Sequence, residues 1–250
     1  GVTRNEDTLY IAADRCAKIF VVNKQNRMHI ETINLNQEDL PDGIEIEGLS
    51  LYKDFLLITD EKNGNIFSYN LKTEKLSEIE PVGKDLSSFK GSYGMEGIAV
   101  DVKSKIVYVL RERNKNHQSE IHSFSISEKQ GALHLKYRNQ TLIQHENKHW
   151  RYAGVSIDSE NKRLLCLKSY YVGHASSSNK REIEYISFDA LTHNTANPHM
   201  LISLSKEVYA ARDTYATNVE GIYSDCESIF VTSDNGEGKK DCSQKLVKQL

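Results

Sequence analysis

What this chain lacks narrows its function before any motif is read. It has no block of Lys and Arg: 32 basic residues against 35 acidic ones leave a formal net charge of −3. No phosphate-tracking surface is visible, and nucleic acid is not an expected partner. It has no long apolar run either. Ile19 to Val22 is typical of the longest, far short of the ~20 residues that span a bilayer, so this chain is not expected to insert into a membrane. The opening GVTRNED has neither a charged n-region nor an apolar h-region, and no signal peptide is visible. Cysteine is scarce. Cys16, Cys166, Cys226 and Cys242 are too few for a disulfide scaffold and show no C-x-x-C spacing. Cys166 reads as a small core residue. A Cys16–Cys242 clasp would have to join equivalent places in neighbouring repeats, which are normally too far apart for a bond. Apolar residues, at 38%, fall below the usual globular share, which suits half-polar strands better than buried helices.

What is present is a repeat. Gly48-Leu49 sits in IEIEGLSL, Gly97-Ile98 in GMEGIAVD, Gly154-Val155 in RYAGVSID and Gly221-Ile222 in NVEGIYSD, and Gly1-Val2-Thr3 begins a fifth copy. The glycines are 47, 49, 57 and 67 residues apart, a period of roughly 50 that suits propeller blades. After each copy comes a second apolar run, closing at Asp14, Asp60, Glu112, Ser169 and Asp234. A turn-rich loop and a third run follow: KIFVVN, NIFSYNL, EIHSFSI, EIEYISF and KLVKQL. Alternation and β-branched enrichment make all of these strands. The expectation is an all-β, single-domain, five-bladed β-propeller of four-stranded antiparallel blades, at roughly 1–43, 44–92, 93–149, 150–216 and 217–250. The segment KEVYAARD at 206–213 alone has helical character.

One motif competes with this reading. HENKH at 145–149 fits H-E-x-x-H, in which two histidines one helical turn apart grip zinc and the glutamate serves as base. Its flanks LKYRNQTLI and WRYAGVSI are strands, and without a helix His145 and His149 share no face. An inter-blade loop is expected instead. The lone N-x-T sequon at Asn139 carries little by itself.

In a blade, the start of the first strand and the end of the second lie on one face. The residue before each glycine is Glu47, Glu96, Ala153 or Glu220. With Asp14, Asp60, Glu112, Ser169 and Asp234, these should ring one channel mouth with seven carboxylates. Like charges that close need neutralising. Three resolutions stand open: a hard cation, for which an oxygen-only donor set favours calcium; ion pairs with Arg15, Arg111, Arg113 and Lys168; or carboxylates that merely cap turns such as DEKNG. The longer loops after the second strands place Tyr170, Tyr171 and His174, with Arg111, Arg113 and Lys168, as ligand contacts at the same mouth.

The E-G-[LI] repeat followed by an apolar strand ending in Asp or Glu resembles the bacterial SdiA-regulated family, and more distantly NHL-repeat and esterase-like phytase propellers. The resemblance implies a five-bladed calcium-binding propeller located outside the cytoplasm. Its cation would sit at Glu47, Glu96 and Glu220, with Asp60 and Asp234 less securely placed, and Ala153 would leave blade 4 open. Two functions fit: a monomeric binding module for a protein, glycan or small molecule, or a metal-dependent hydrolase of the phosphoesterase or lactonase kind. No Ser-His-Asp order stands out, so no catalytic residue is assigned.

Overall fold

The structure, a computed structural model, describes residues 1–13, 16–26, 28–35, 40–41, 43–172, 180–204, 218–225 and 228–234. Four sheets of four antiparallel strands follow one another along the chain. The first contains β1 (Val2–Arg4), β2 (Thr8–Ala13), β3 (Lys18–Asn23) and β4 (His29–Asn34). The second contains β5 (Ile46–Tyr52), β6 (Phe55–Asp60), β7 (Asn65–Asn70) and β8 (Lys75–Ile79). Next come β9 (Met95–Asp101), β10 (Ile106–Arg111), β11 (Gln118–Lys129) and β12 (Ala132–Gln144). The fourth holds β13 (Trp150–Asp158), β14 (Arg163–Tyr170), β15 (Lys180–Ser187) and β16 (His199–Leu204). Sequential order within each sheet makes every one a meander, as propeller blades require.

The expectation of five four-stranded blades is met by four. Among the described residues the fifth unit is a two-stranded sheet, β17 (Asn218–Ser224) with β18 (Ile229–Asp234). KLVKQL, expected as its third strand, lies outside the described residues, as does the helical segment 206–213.

The inner strands are packed too closely for side chains at the repeated glycines. A Cβ on Gly48 would stand 2.7 Å from the Ile98 nitrogen of the next blade, and one on Gly1 would stand 2.6 Å from the Leu49 nitrogen. At Gly1 and Gly48 only glycine admits the neighbouring backbone, and at Gly97 a Cβ would still stand 3.1 Å from the Val155 nitrogen. Two residues further on, a hydroxyl ties three of the inner strands to the next. Leu51 N–H donates to Thr3 Oγ1 (3.1 Å), Val100 N–H to Ser50 Oγ (3.1 Å) and Ser224 N–H to Ser156 Oγ (2.8 Å). Tyr223 continues the pattern by accepting from Arg4 Nε (3.2 Å), which brings the fifth unit back to the first. Ala99 occupies the remaining rung and has no hydroxyl.

Between blades, the apolar faces form the core. Tyr52, Phe55 and Ile66 pack with Val107, Phe124 and Leu135 across one seam, and Tyr108, Leu110 and Ile143 with Tyr152, Leu164 and Ile186 across the next. A β-bulge interrupts four of the five described inner strands, β5, β9, β13 and β17, just before the glycine. It falls between Ile46 and Gly48, opposite Leu110/Arg111 in the third blade, between Tyr152 and Gly154, and between Val219 and Gly221. The residues skipped by the register are Glu47, Glu96, Ala153 and Glu220, the same four that the repeat singled out. A bulged residue is released from the pleat and its side chain re-aimed. The bulges thus carry this position toward the channel mouth.

Candidate functional site

Three carboxylates converge where the bulges of blades 2 and 3 meet the ends of their second strands. Ligand oxygens of Glu61, Glu96 and Glu112 all lie within 4.8 Å of one another. The Glu96 carboxyl is held well above the ordinary carboxylate range. Burial is the largest cause, followed by the charges of Glu112, Glu47 and Glu61, and then by a hydrogen bond with Glu112. Glu96 as a whole residue is only half-buried, so the desolvation falls on its inward carboxyl rather than on its stem. A proton shared between Glu96 and Glu112 would relieve the repulsion among these acids, and so would a cation.

Glu61 was missed by the sequence reading, which took Asp60 as the blade-2 acid. The register explains the error. Glu61 N–H donates to Glu45 O, two residues before the bulge, just as Glu112 N–H donates to Gly94 O. Glu61 and Glu112 are therefore equivalent, and Asp60 corresponds instead to Arg111. One step along a strand reverses the face. Asp60 accordingly turns away, fully buried, and accepts from Glu45 N–H (3.1 Å) and Asn63 Nδ2 (2.7 Å) as the cap of its turn. A signal was present: Asp14 follows Gly1, and Asp234 follows Gly221, by the same step that leads from Gly48 to Glu61.

Glu112 is buried and neutralised by two guanidinium groups. Arg113 Nε lies 3.2 Å and Arg151 Nη1 3.0 Å from the same carboxylate oxygen. Each guanidinium is backed by a ring, Arg113 over Tyr93 at 4.2 Å and Arg151 over Tyr171 at 4.9 Å. Arg113 and Tyr171 thus stand beside Glu112 at the mouth. Arg111 and Lys168 do not. Occupying equivalent register positions, both turn to the inter-strand face and into ion pairs. Arg111 donates to Glu120 (3.3 Å) and to Ser88 O (3.0 Å), and packs over Phe89. The Glu120 carboxyl falls to about 2: burial pushes it up, but hydrogen bonds from His122 and Asn114 and the charges of His122 and Arg111 outweigh that. Lys168 is buried and reaches Glu184 (2.7 Å) and Glu146 (2.8 Å), with Trp150 beneath it. Tyr170 packs at steep ring angles against His149 and Trp150.

Blade 4 leaves the ring of acids open. Its bulge carries Ala153, and Ser169 stands where Glu112 stands in blade 3. Ser169 is fully buried, and its Oγ has no hydrogen-bond partner. Of the remaining expected residues, Asp14 and His174 lie outside the described residues, and Glu220 and Asp234 are described only as backbone, paired about the last bulge.

HENKH is irregular chain between β12 and β13. His145 is buried against Tyr152 and shares a 2.7 Å hydrogen bond with Ser119 Oγ; burial, then the Lys168 charge, depress it to about 4. Glu146 pairs with Lys168, so the motif assembles no zinc site. Asn139 is likewise committed: its Nδ2 donates to Leu191 O and its Oδ1 accepts from Ser123. Cys166 is free and buried, as expected, whereas Cys16 is disulfide-bonded to a partner outside the described residues.

A cavity of about 470 Å³ occupies the opposite half of the channel. Val2, Leu49, Ile98, Val155 and Ile222 line it, one from each unit, with Asp158, Glu160 and Asp225 near its far opening. Sequence reasoning had placed ligand contacts only at the other mouth.

Comparisons with known proteins follow this geometry. The family model described as SdiA-regulated matches residues 3–193. No curated protein matches. Among solved structures, the chain is similar to one from the nidogen/laminin complex (14% identity, TM-score 0.49, covering 86% of this chain and 64% of that one). It is also similar to a Lactobacillus plantarum protein (14%, 0.46, 80% and 55%) and to the β-propeller domain of Myceliophteria thermophila Cps50 (Swd1) (10%, 0.43, 93% and 65%). The chain therefore spans less than two thirds of the length of these structures.

Proposed function

Since the chain belongs to the SdiA-regulated family, we propose that it is a cation-binding recognition propeller, with calcium held at the mouth formed by blades 2 and 3. The observation that carries this reading is the convergence of Glu61, Glu96 and Glu112 within 4.8 Å, where burial and like charge raise the Glu96 carboxyl. A dication would replace the shared proton and remove the repulsion. The donor set fits calcium: the three are oxygen ligands, on separate backbone segments, with no Cys or His among them. Bound calcium would supply a fixed positive centre to which a ligand can be oriented.

The hydrolase alternative gains nothing from the geometry. Of Arg111, Arg113 and Lys168, which it would use to hold a phosphate, Arg111 and Lys168 are taken up by Glu120, Glu146 and Glu184, and Arg113 pairs with Glu112. Disulfide-bonded Cys16 supports the extracytoplasmic location, because such bonds persist in oxidising compartments. Among the described residues no helix is long and apolar enough to cross a membrane.

Thermal unfolding after EDTA, then with calcium, magnesium or zinc, tests the reading. Calcium alone should raise the melting temperature, by RT ln(1 + [L]/Kd) in free energy, on the order of 3 kcal/mol at a hundredfold excess over Kd. If no metal moves the transition, the acids are balanced by their proton and by Arg113 and Arg151, and the cation site is abandoned.

A further inference from the structure

We infer that the cavity in the opposite half of the channel binds a small aliphatic molecule through an uncharged carbonyl, which accepts a hydrogen bond from the Ile157 N–H at the rung that Ala99 leaves without a hydroxyl. This site lies apart from the acidic mouth and needs no cation.

Register locates the donor. The third residue after each bulged glycine occupies one equivalent place: Leu51 opposite Leu56, Val100 opposite Val107, Ile157 opposite Leu164 and Ser224 opposite Ile229. Leu51, Val100 and Ser224 each turn the N–H out of their own blade, to a hydroxyl of the preceding inner strand. The Ile157 N–H therefore turns toward Ala99, which offers a methyl group and no acceptor. Among the described residues no other group outside its own sheet accepts from it. Arg4 holds the corresponding place in the first unit, but there two long side chains fill the rung. Its Nε donates to the Tyr223 hydroxyl (3.2 Å), and its guanidinium lies over the Tyr223 ring. The rung between blades 3 and 4 stays open, and Ala99 and Ile157 both line the cavity. A backbone donor on an apolar wall costs free energy until an acceptor reaches it.

The rest of the cavity selects the body and the head of the ligand. Its volume of about 470 Å³ suits a small molecule. Val2, Leu49, Ile98, Val155 and Ile222 give it an aliphatic wall drawn from every unit, and Val102, 52% exposed, adds to that wall. Charged heads fit less well. The two lining cations are already held, Arg4 by Asp225 (2.7 Å) and Lys53 by Glu128 (2.8 Å), so a carboxylate meets no unshared counter-charge. It would also lie near Asp158 and Glu160. An alkylammonium has no acceptor to offer the Ile157 N–H. A carbonyl answers the donor without bringing a charge to be desolvated.

NMR titration of the amide- and methyl-labelled whole chain with hexanamide, hexanoate and hexylammonium provides the test. All titrations are run in EDTA, which keeps their outcome separate from that of the cation site. Hexanamide should move the Ile157 amide proton downfield, saturably, together with the methyl groups of Leu49, Ile98, Val155 and Ile222. Both charged analogues should bind roughly fivefold more weakly or worse, the scale of one neutral hydrogen bond. Ala99→Ser supplies the acceptor from within, as Ser50 does for Val100. In that variant hexanamide should bind roughly fivefold more weakly and leave the Ile157 amide unmoved, with the melting temperature confirming the fold. No saturable shift with hexanamide, equal affinity for all three heads, a preference for either charged analogue, or an unchanged response in Ala99→Ser would each overturn the inference.

Discussion

Blades 3 and 4 share one frame, with the same bulge before the inner glycine and the same end to the second strand, yet they put different chemistry on it. Blade 3 turns Glu96 and Glu112 toward the mouth, whereas blade 4 turns Ala153 and Ser169 there. On the other face the contrast reverses. Arg111 of blade 3 remains partly exposed beside Glu120 and His122, while Lys168 of blade 4 is sealed between Glu184 and Glu146. The scaffold sets where side chains point, and each blade is then free to place its charge inward or outward.

Substitution at the shared position should break the comparison most strongly. Lys168→Met strands the buried Glu184 carboxylate with Tyr152 O–H as its remaining partner. Removing one member of a buried pair costs about 3–5 kcal/mol, measurable by urea unfolding. Arg111→Met leaves Glu120 with His122 and Asn114, and should cost about 1 kcal/mol or less. Equal losses would mean the two blades bury their charge alike.

Next in size is His145, at the seam between these blades. Its folded pKa of about 4 lies below the ordinary 6.5, so the unfolded chain binds the extra proton first. Stability from this group is complete above pH 6.5 and is lost as pH falls toward 4, a total of about 3 kcal/mol. His145→Gln should flatten that part of the stability profile, and the imidazole resonances should not titrate until about pH 4.

Glu96 has the opposite sign. Its folded pKa is raised, so the stability it contributes is complete below the ordinary carboxylate range and declines as pH rises through the raised value. Without metal, Glu96→Gln should therefore melt higher than the parent at neutral pH, by roughly 2–4 °C for 1 kcal/mol in a chain of this size. Any calcium-induced rise should disappear in the variant. A lower melting point without metal would refute the protonated-pair account.

The smallest effect is expected at the rung between the two blades. Ala99→Ser supplies the hydroxyl that Thr3, Ser50 and Ser156 supply elsewhere, and one added hydrogen bond should gain about 1 kcal/mol by thermal unfolding.

The repeat was legible because glycine and the bulged glutamate recur for steric reasons that sequence spacing records. Strand order and the loop nature of HENKH followed from alternation alone. What could not be read was phase. A strand end closing in Asp-Glu offers two acids on opposite faces, and only the backbone pairing of Glu61 with Glu45 settles which one meets Glu96. The commitments of Arg111 and Lys168 were hidden for the same reason, since their partners lie on the third strand, nine and sixteen residues away. The single-residue excursion at each bulge breaks the alternation on which side-chain direction is inferred.

The missing rung at Ala99 also makes the ring unequal in time. Hydrogen exchange should find the amides of Leu51, Val100 and Ser224 slow, each held by a hydroxyl from the blade before, and that of Ile157 fast. A closed ring opens first at its weakest seam. Here that seam runs between the blade that carries the paired acids and the blade that carries the gap, so loosening it would alter the spacing between Glu112 and Arg151 before any other part of the mouth is disturbed.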